Sequence, residues 1–81
     1  MKTFLFFGRL RDQAGESQRL ELSPEVRTVA DLRGWLDRQI EGFECAADTS
    51  VRFVADGEVV TESSDISAAR EIALLPPLSG G

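Results

Sequence analysis

Histidine is absent from the sequence, and cysteine occurs only once, at Cys45. A single cysteine excludes an intramolecular disulfide and a multi-cysteine metal site, so no metal site is predicted. The lack of histidine excludes a cysteine–histidine nucleophile pair and histidine-based acid–base catalysis. We expect Cys45 to be a passive residue of a loop or packing edge; the alternative is a transient sulfur-transfer thiol.

Long apolar runs are missing as well. None approaches the roughly 18 residues that a membrane span needs. The apolar run within residues 1–7 is short, and the charged residues Arg9, Arg11 and Asp12 follow it, which is unlike a signal peptide. The sequence therefore predicts a cytoplasmic protein that does not associate with membranes.

Positive charge is in deficit, and the formal net charge is −5. This balance argues against nucleic-acid binding, which depends on clustered basic residues. It is compatible with steering toward a basic partner surface, or with solubility alone. A chain of 81 residues is one domain with little room for an enclosed active site, so we do not expect an enzyme that acts on its own.

Hydrophobic periodicity predicts five strands, at 2–8, 17–22, 51–55, 58–61 and 71–75, and one main helix. Thr28 is the candidate N-cap of the helix, and Gly42 is its expected stop. Arg33 and the other charged residues of the helix are expected to face away from the core, with Trp35 at the core margin. Segment 9–16 is expected to be a connection, and 62–70 to contain one helical turn. The predicted buried stripe of the helix is Val29, Leu32, Leu36, Ile40 and Phe43.

This order of elements predicts an α+β fold in which a mixed sheet packs on one main helix. The first and last strands are the most apolar, so they should lie side by side at the centre of the sheet. That is the arrangement of the ubiquitin-like β-grasp fold. We expect residues 1–75 to form the domain and residues 76–81 to form an extended, flexible Gly-Gly tail.

The second face of the predicted sheet also carries apolar residues. Leu5 and Phe7 in the first strand, and Leu75 in the last, fall on this face by strand alternation. One helix covers only one face. The second face therefore either meets another protein, as exposed apolar patches often do, or is covered by Leu10 and the 62–70 segment.

The last six residues have the composition of a stalk that carries a reactive carboxylate. Pro76 and Pro77 favour a polyproline conformation that would hold the tail off the domain. Six extended residues reach about 20 Å, at roughly 3.3 Å each. Gly80 and Gly81 can pass through a narrow channel because they lack side chains. Once joined to AMP, the Gly81 carboxylate can be attacked by a sulfur donor to give a thiocarboxylate, with no catalytic side chain required.

Segment 71–81, Glu-Ile-Ala-Leu-Leu-Pro-Pro-Leu-Ser-Gly-Gly, closely resembles the end of the MoaD-type small subunit of molybdopterin synthase. Segment 6–12, Phe-Phe-Gly-Arg-Leu-Arg-Asp, followed by Gly15, is also similar to that family, as is the helix opening at 28–32. The resemblance spans the whole chain, and the tail is its specific part.

The resemblance implies a sulfur carrier in molybdenum cofactor biosynthesis. An ATP-dependent, E1-like adenylating enzyme would activate Gly81, and a sulfur relay would convert it to the thiocarboxylate. The tail would then enter the large catalytic subunit of molybdopterin synthase and pass sulfur to a pterin precursor, in an assembly of two small and two large subunits. No permanently bound cofactor is implied, because the adenylating partner uses the ATP.

The implied site residues fall into two groups. Gly81 is the reactive terminus, preceded in the tail by Ser79 and Gly80. Arg11 would pair with acidic groups of a partner or remain a solvated loop charge. The residues implied at the partner interface are Phe7, Arg11, Leu75, Pro76, Pro77 and Leu78.

Two features depart from the family pattern. Ala69-Arg70 stands where Gly-Asp is common, so the turn at 66–70 is expected to close differently, and an aromatic residue is common where Leu74 and Leu75 stand. Three alternatives share the fold. They are a thiamine-pathway sulfur carrier, a ubiquitin-like modifier that forms isopeptide bonds to lysines, and an interaction domain with an inert tail.

Overall fold

Five strands form one mixed sheet in the computed structural model, which describes residues 1–77. The elements in chain order are β1 (Lys2–Phe6), α1 (Leu10–Ala14), β2 (Ser17–Leu20), α2 (Val29–Gln39), β3 (Arg52–Ala55), β4 (Glu58–Val60) and β5 (Glu71–Leu75). The prediction that 9–16 is only a connection is wrong, because this segment contains the short helix α1. The helical turn predicted within 62–70 is wrong, because this segment consists of turns and one isolated bridge from Thr28 to Asp65.

The strand order across the sheet is β2-β1-β5-β3-β4. β1 and β5 are parallel, with Phe4 opposite Ile72, and the other neighbouring strands are antiparallel. β5 is therefore the central strand, and the predicted side-by-side placement of the first and last strands is confirmed. A mixed sheet with this order and one main helix is an α+β, ubiquitin-like β-grasp fold.

Helix α2 begins with a capping box. The Thr28 hydroxyl accepts a hydrogen bond from the Asp31 amide at 3.2 Å, and the Asp31 carboxylate accepts one from the Thr28 amide at 3.2 Å. The helix ends at Gln39, before the predicted stop at Gly42, with Ile40 as its C-cap. The predicted stripe is confirmed, because Val29, Leu32, Leu36, Ile40 and Phe43 are all buried.

The hydrophobic core lies between α2 and one face of the sheet. Phe6 contributes an edge-to-face contact with Phe43, with ring centroids 5.7 Å apart. Trp35 is buried rather than marginal, and its ring centroid is 6.3 Å from that of Phe4. Neither α1 nor α2 is long and apolar enough to cross a bilayer, and residues 1–77 contain no other helix that is.

The prediction that Arg33 faces away from the core is wrong, because only 5% of this residue is exposed. Its Nε and Nη2 donate hydrogen bonds to the Glu62 carboxylate at 2.6 to 3.0 Å. Nη1 donates to the carbonyls of Cys45 and Asp48 at 3.2 and 3.1 Å, and Nη2 donates to that of Val51 at 2.7 Å. One guanidinium therefore fastens the loop between α2 and β3 to the helix.

Leu10 and the 62–70 segment do not cover the second sheet face. Leu10 and Ile66 are both buried in the same core cluster as Phe4 and Phe6, on the helix side of the sheet. Of the two alternatives for the second face, cover by these residues is therefore wrong.

Candidate functional site

The tail leaves the domain from the middle strand of the sheet. β5 ends at Leu75, and Pro76 and Pro77 follow outside regular structure. β5 lies between β1 and β3, so both neighbouring strands can fix the position at which the tail begins. The predicted tail residues Leu78, Ser79, Gly80 and Gly81 lie outside the described residues. The site that the structure defines is therefore the root of the tail.

Pro76 packs directly against Gly8, in the turn between β1 and α1. Gly8 has a φ of +57°, and a Cβ at this position would lie 2.6 Å from Cγ of Pro76. Glycine is therefore required at position 8 for two reasons: the backbone is left-handed, and the proline ring approaches too closely for a side chain. The Phe7 amide extends the parallel ladder by donating to the Leu74 carbonyl at 3.2 Å. These contacts fix the direction of the chain as it enters the tail.

A groove of about 770 Å³ lies beside this root. Its lining consists of Phe7, Gly8, Ser50, Arg52, Leu75, Pro76 and Pro77. Four of the predicted interface residues are thus brought together, and Phe7 is 41% exposed despite its size. Sequence reasoning missed Gly8, Ser50 and Arg52. Of these three residues, only Gly8 could have been found from the sequence, because a glycine directly after an apolar segment indicates a turn with positive φ.

One arginine, Arg52, lines the groove, and two more, Arg9 and Arg11, follow Gly8 of the groove lining in sequence. Arg52 is exposed and stands opposite Leu75 in the pairing of β3 with β5. Arg9 is engaged by the Asp48 carboxylate at 2.9 Å. Arg11 lies on α1 outside the groove lining, 3.7 Å from Glu16, with both side chains more than half exposed. Arg52 is therefore the one charged residue that lines the groove, among residues 1–77.

An apolar surface continues from the groove across the second face of the sheet. The strand register places Leu5, Ala73, Val54 and Val59 in one row across β1, β5, β3 and β4. Val59 is 71% exposed, and the other three are half-buried. We call this row together with Phe7 and Leu75 the outer sheet face. Both helices pack into the core on the opposite side.

Asp56 closes the turn that precedes β5. Its carboxylate accepts hydrogen bonds from the amides of Arg70 and Glu71 at 2.9 to 3.2 Å. The Glu71 and then the Arg70 amide hold the pKa of Asp56 below its usual value. The predicted hairpin at Asp56-Gly57 is confirmed, and the same aspartate binds the two amides that lead from the 62–70 segment into β5.

Cys45 is a core residue and not a poised nucleophile. Only 3% of it is exposed, and burial raises the pKa of its thiol to about 11. A thiol with such a pKa is almost entirely protonated at neutral pH and therefore unreactive. This placement agrees with the passive role expected from the sequence. Among residues 1–77, no group of three or more histidine, cysteine or acidic side chains is arranged to hold a metal ion.

The chain is similar to known proteins over nearly its whole length. The model of the ThiS family matches residues 4–81. No curated protein matched the chain. The crystal structure of SAMP1 from Haloferax volcanii has a TM-score of 0.69 at 22% identity, covering 99% of this chain and 98% of that chain. A Pyrococcus furiosus protein provisionally described as molybdopterin converting factor, subunit 1, has a TM-score of 0.72 at 23% identity, covering 94% of this chain and 95% of that one.

Proposed function

The chain belongs to the ThiS family of ubiquitin-like sulfur carriers, and on that premise we propose that it is the sulfur-carrying small subunit of molybdopterin synthase. The observation that carries the proposal is the extent of the family match, which includes the tail through Gly81. The predicted reactive carboxyl group is thus part of the region that the family shares.

In the proposed reaction, an oxygen of the Gly81 carboxylate attacks the α-phosphorus of ATP in the adenylating partner, and pyrophosphate leaves. A sulfide-level donor, written as HS⁻, then attacks the Gly81 carbonyl carbon, AMP leaves with the bonding electron pair, and the sulfur loses its proton. The product is a C-terminal thiocarboxylate. Its sulfur forms a C–S bond with the pterin precursor held by the large subunit as an oxygen substituent leaves that carbon. Water then cleaves the Gly81 C–S bond, which leaves the sulfur on the pterin and restores the carboxylate.

The chain's own residues deliver the terminus. The contact between Pro76 and Gly8 sets the direction of the tail at its root. Gly80 and Gly81 leave the reacting carbonyl accessible to a partner's groups because they carry no side chains. The catalytic groups are supplied by the partners, which suits a domain with an unreactive cysteine and no histidine.

The outer sheet face and the groove are proposed as the surface that docks on the adenylating enzyme and on the large subunit. Phe7 and Val59 expose apolar area that a partner can bury, and Arg52 stands at the groove rim. The complementary partner surface is an apolar patch with acidic groups at its edge. This local chemistry takes precedence over the net charge, which alone favours a basic partner.

The proline pair and one similar structure support the molybdopterin pathway over the thiamine pathway. The Pro76-Pro77 pair is typical of the molybdopterin carrier, whereas the thiamine carrier usually lacks it. The description of the Pyrococcus furiosus structure names the molybdopterin pathway.

Intact mass spectrometry tests the proposed chemistry. After incubation with ATP, the adenylating partner and a sulfur donor, we expect a mass gain equal to the replacement of one oxygen by sulfur, located in the last peptide. Capture of the large synthase subunit by the purified carrier then separates the two pathways. An unchanged mass in the presence of a partner that is active on another carrier would contradict the thiocarboxylate. Modification without binding of the large subunit would favour the thiamine role.

A further inference from the structure

An ion pair connects the two sides of the groove at the root of the tail. Nη2 of Arg9 donates a hydrogen bond to Oδ2 of Asp48 at 2.9 Å. Arg9 directly follows Gly8, which contacts Pro76 on one side of the groove. Asp48 lies shortly before Ser50, which lines the groove next to β3. Because β5 lies between β1 and β3, the pair joins the chain segments that flank the end of β5.

The Asp48 carboxylate makes a separate contact with each of its oxygens. Oδ1 accepts hydrogen bonds from the Ser50 amide at 3.1 Å and from the Ser50 hydroxyl, whereas Oδ2 accepts the one from Arg9. The Ser50 hydroxyl and amide, and then Arg9, hold the pKa of Asp48 below its usual value, so the carboxylate is ionised at neutral pH. The carboxylate that binds Arg9 therefore also orients a residue of the groove lining.

The segment at 46–50 has little apolar packing of its own. Cys45 and Val51 at its ends are buried, but none of the residues between them is. The segment borders two cavities, because Ser50 lines the groove and Asp48 lines a separate cavity of about 290 Å³ on the side of α1. Polar contacts rather than burial of apolar side chains therefore hold this segment in place.

The Arg9–Asp48 pair is too exposed to be an important source of stability. The side chain of Arg9 is 61% exposed, and that of Asp48 is 36% exposed. Exposed pairs contribute little to the free energy of unfolding, because water and salt screen them. The buried Arg33 already fastens the backbone of the loop to α2. The exposed pair can nevertheless fix the position of one groove wall relative to the other.

We propose that Arg9 and Asp48 are positioning residues for docking. Their ion pair holds the Ser50 side of the groove in place relative to the Gly8 side, and thereby keeps the groove in the shape that a partner binds. A surface that is already ordered before binding gains affinity, because less conformational entropy is lost on association. The inference deepens the proposed function and rests on it, since the groove is part of the proposed docking surface.

Asp48→Asn is the informative variant. The asparagine keeps an oxygen for Ser50 but presents an amide donor where Oδ2 accepts from Arg9, so the ion pair is lost while the turn at Ser50 is kept. Arg9→Gln removes the other member of the pair, and Arg9→Lys keeps its charge. Glu16→Gln is the matched control, because it changes the net charge as Asp48→Asn does and breaks an exposed ion pair outside the groove lining.

Titration calorimetry of the full chain with the large subunit measures docking, and hydrogen exchange at 46–50 measures the order of the segment without any partner. Asp48→Asn and Arg9→Gln are each expected to weaken binding about threefold to fivefold, which is what an exposed ion pair can supply. Both should raise exchange at 46–50 and leave Tm nearly unchanged. The double variant should bind about as well as either single variant, because the two residues act together. Arg9→Lys and Glu16→Gln should resemble the wild type.

The direction of the Asp48→Asn effect separates positioning from direct attraction. If Arg9 acted only as a positive charge toward an acidic partner, its release from Asp48 would strengthen binding. Unchanged or tighter binding by Asp48→Asn would therefore overturn the inference, as would unchanged exchange at 46–50 in both Asp48→Asn and Arg9→Gln. Failure of the proposed function would appear separately, because the wild-type chain would then bind neither the large subunit nor the adenylating partner.

Discussion

Replacing Arg33 with methionine should destabilise the domain far more than loss of a surface ion pair. The side chain of Arg33 is 6% exposed, whereas that of Glu62 is 53% exposed. Water can therefore hydrate the Glu62 carboxylate after the substitution, and the loss of its ion pair with Arg33 contributes little to the destabilisation. The carbonyls of Cys45 and Val51 lose donors in buried positions, and an unsatisfied buried group costs about 1–3 kcal/mol. Arg33 also lies 4.9 Å above the Phe53 ring centroid, in a cation–π contact that methionine cannot replace.

Together these losses predict a decrease of about 3 kcal/mol in the free energy of unfolding for Arg33→Met. In a domain of this size, that corresponds to a fall in Tm of about 12–24 °C, at 4–8 °C for each kcal/mol. Urea denaturation followed by circular dichroism measures the change, with an unchanged m-value as the sign that both states keep their compactness.

Glu62→Gln is the matched control, because it keeps an acceptor for Arg33 and removes only a half-exposed charge. It should cost less than Arg33→Met, because the Arg33 guanidinium keeps its three carbonyl acceptors and the glutamine still offers an amide oxygen. If Arg33→Met unfolds within about 0.5 kcal/mol of wild type, the range of ordinary surface substitutions, the buried network does not hold the loop and the reasoning is wrong. Hydrogen exchange at 44–51 should rise in Arg33→Met and remain unchanged in the control.

Three further predictions concern the tail root, the docking surface and the turn before β5. Gly8→Ala should destabilise the domain more than Gly57→Ala, since both have positive φ, which costs about 1–2 kcal/mol, but only Gly8 meets the proline ring. Val59→Asp should weaken binding of the large subunit about tenfold or more, because an apolar contact worth roughly 1.5–3 kcal/mol is lost, with little change in Tm. The hydrogen bonds from the Glu71 and Arg70 amides stabilise the ionised Asp56 carboxylate in the folded state and lower its pKa there. This contribution to the free energy of unfolding is fully present above the unfolded carboxyl pKa near 4, and it is lost as pH falls through the lower folded pKa. Asp56→Asn should therefore reduce stability at neutral pH and flatten its acid dependence, as measured by urea denaturation from about pH 7 to 2.

The contradicting outcomes are separate for each prediction. Equal destabilisation by Gly8→Ala and Gly57→Ala would show that the proline contact is unimportant. Unchanged binding by Val59→Asp, with Glu21→Ala as a control outside the outer sheet face, would place the interface elsewhere. A wild-type acid dependence in Asp56→Asn would assign the acid sensitivity to other carboxylates.

Local patterns were sufficient to predict most of the fold. The capping pair Thr28 and Asp31 and the apolar stripe of α2 are each set by residues close in sequence, and the Asp56-Gly57 turn depends on two adjacent positions. The central position of β5 followed from its apolar residues on both faces. The five-residue helix α1 was missed because it is too short to show a helical period.

The features that sequence reasoning missed depend on contacts between distant segments. Arg33 lies off the apolar stripe, and its burial requires Glu62 and loop carbonyls that are 12 to 29 residues away in the chain. Gly8 meets Pro76 only after β1 and β5 have paired, and Arg52 reaches the groove only after β3 and β5 have paired. Phe7 and Leu75 were accessible to prediction because strand alternation alone places them on the second face.

The central claim is that the reactive group of this carrier is the carboxyl of Gly81. Its most direct test compares sulfur transfer by the chain as it stands with transfer by a chain that carries one additional alanine after Gly81. We predict that the added residue abolishes formation of the thiocarboxylate and delivery of sulfur while Tm stays the same. Sulfur transfer by the lengthened chain at an undiminished rate would contradict the account.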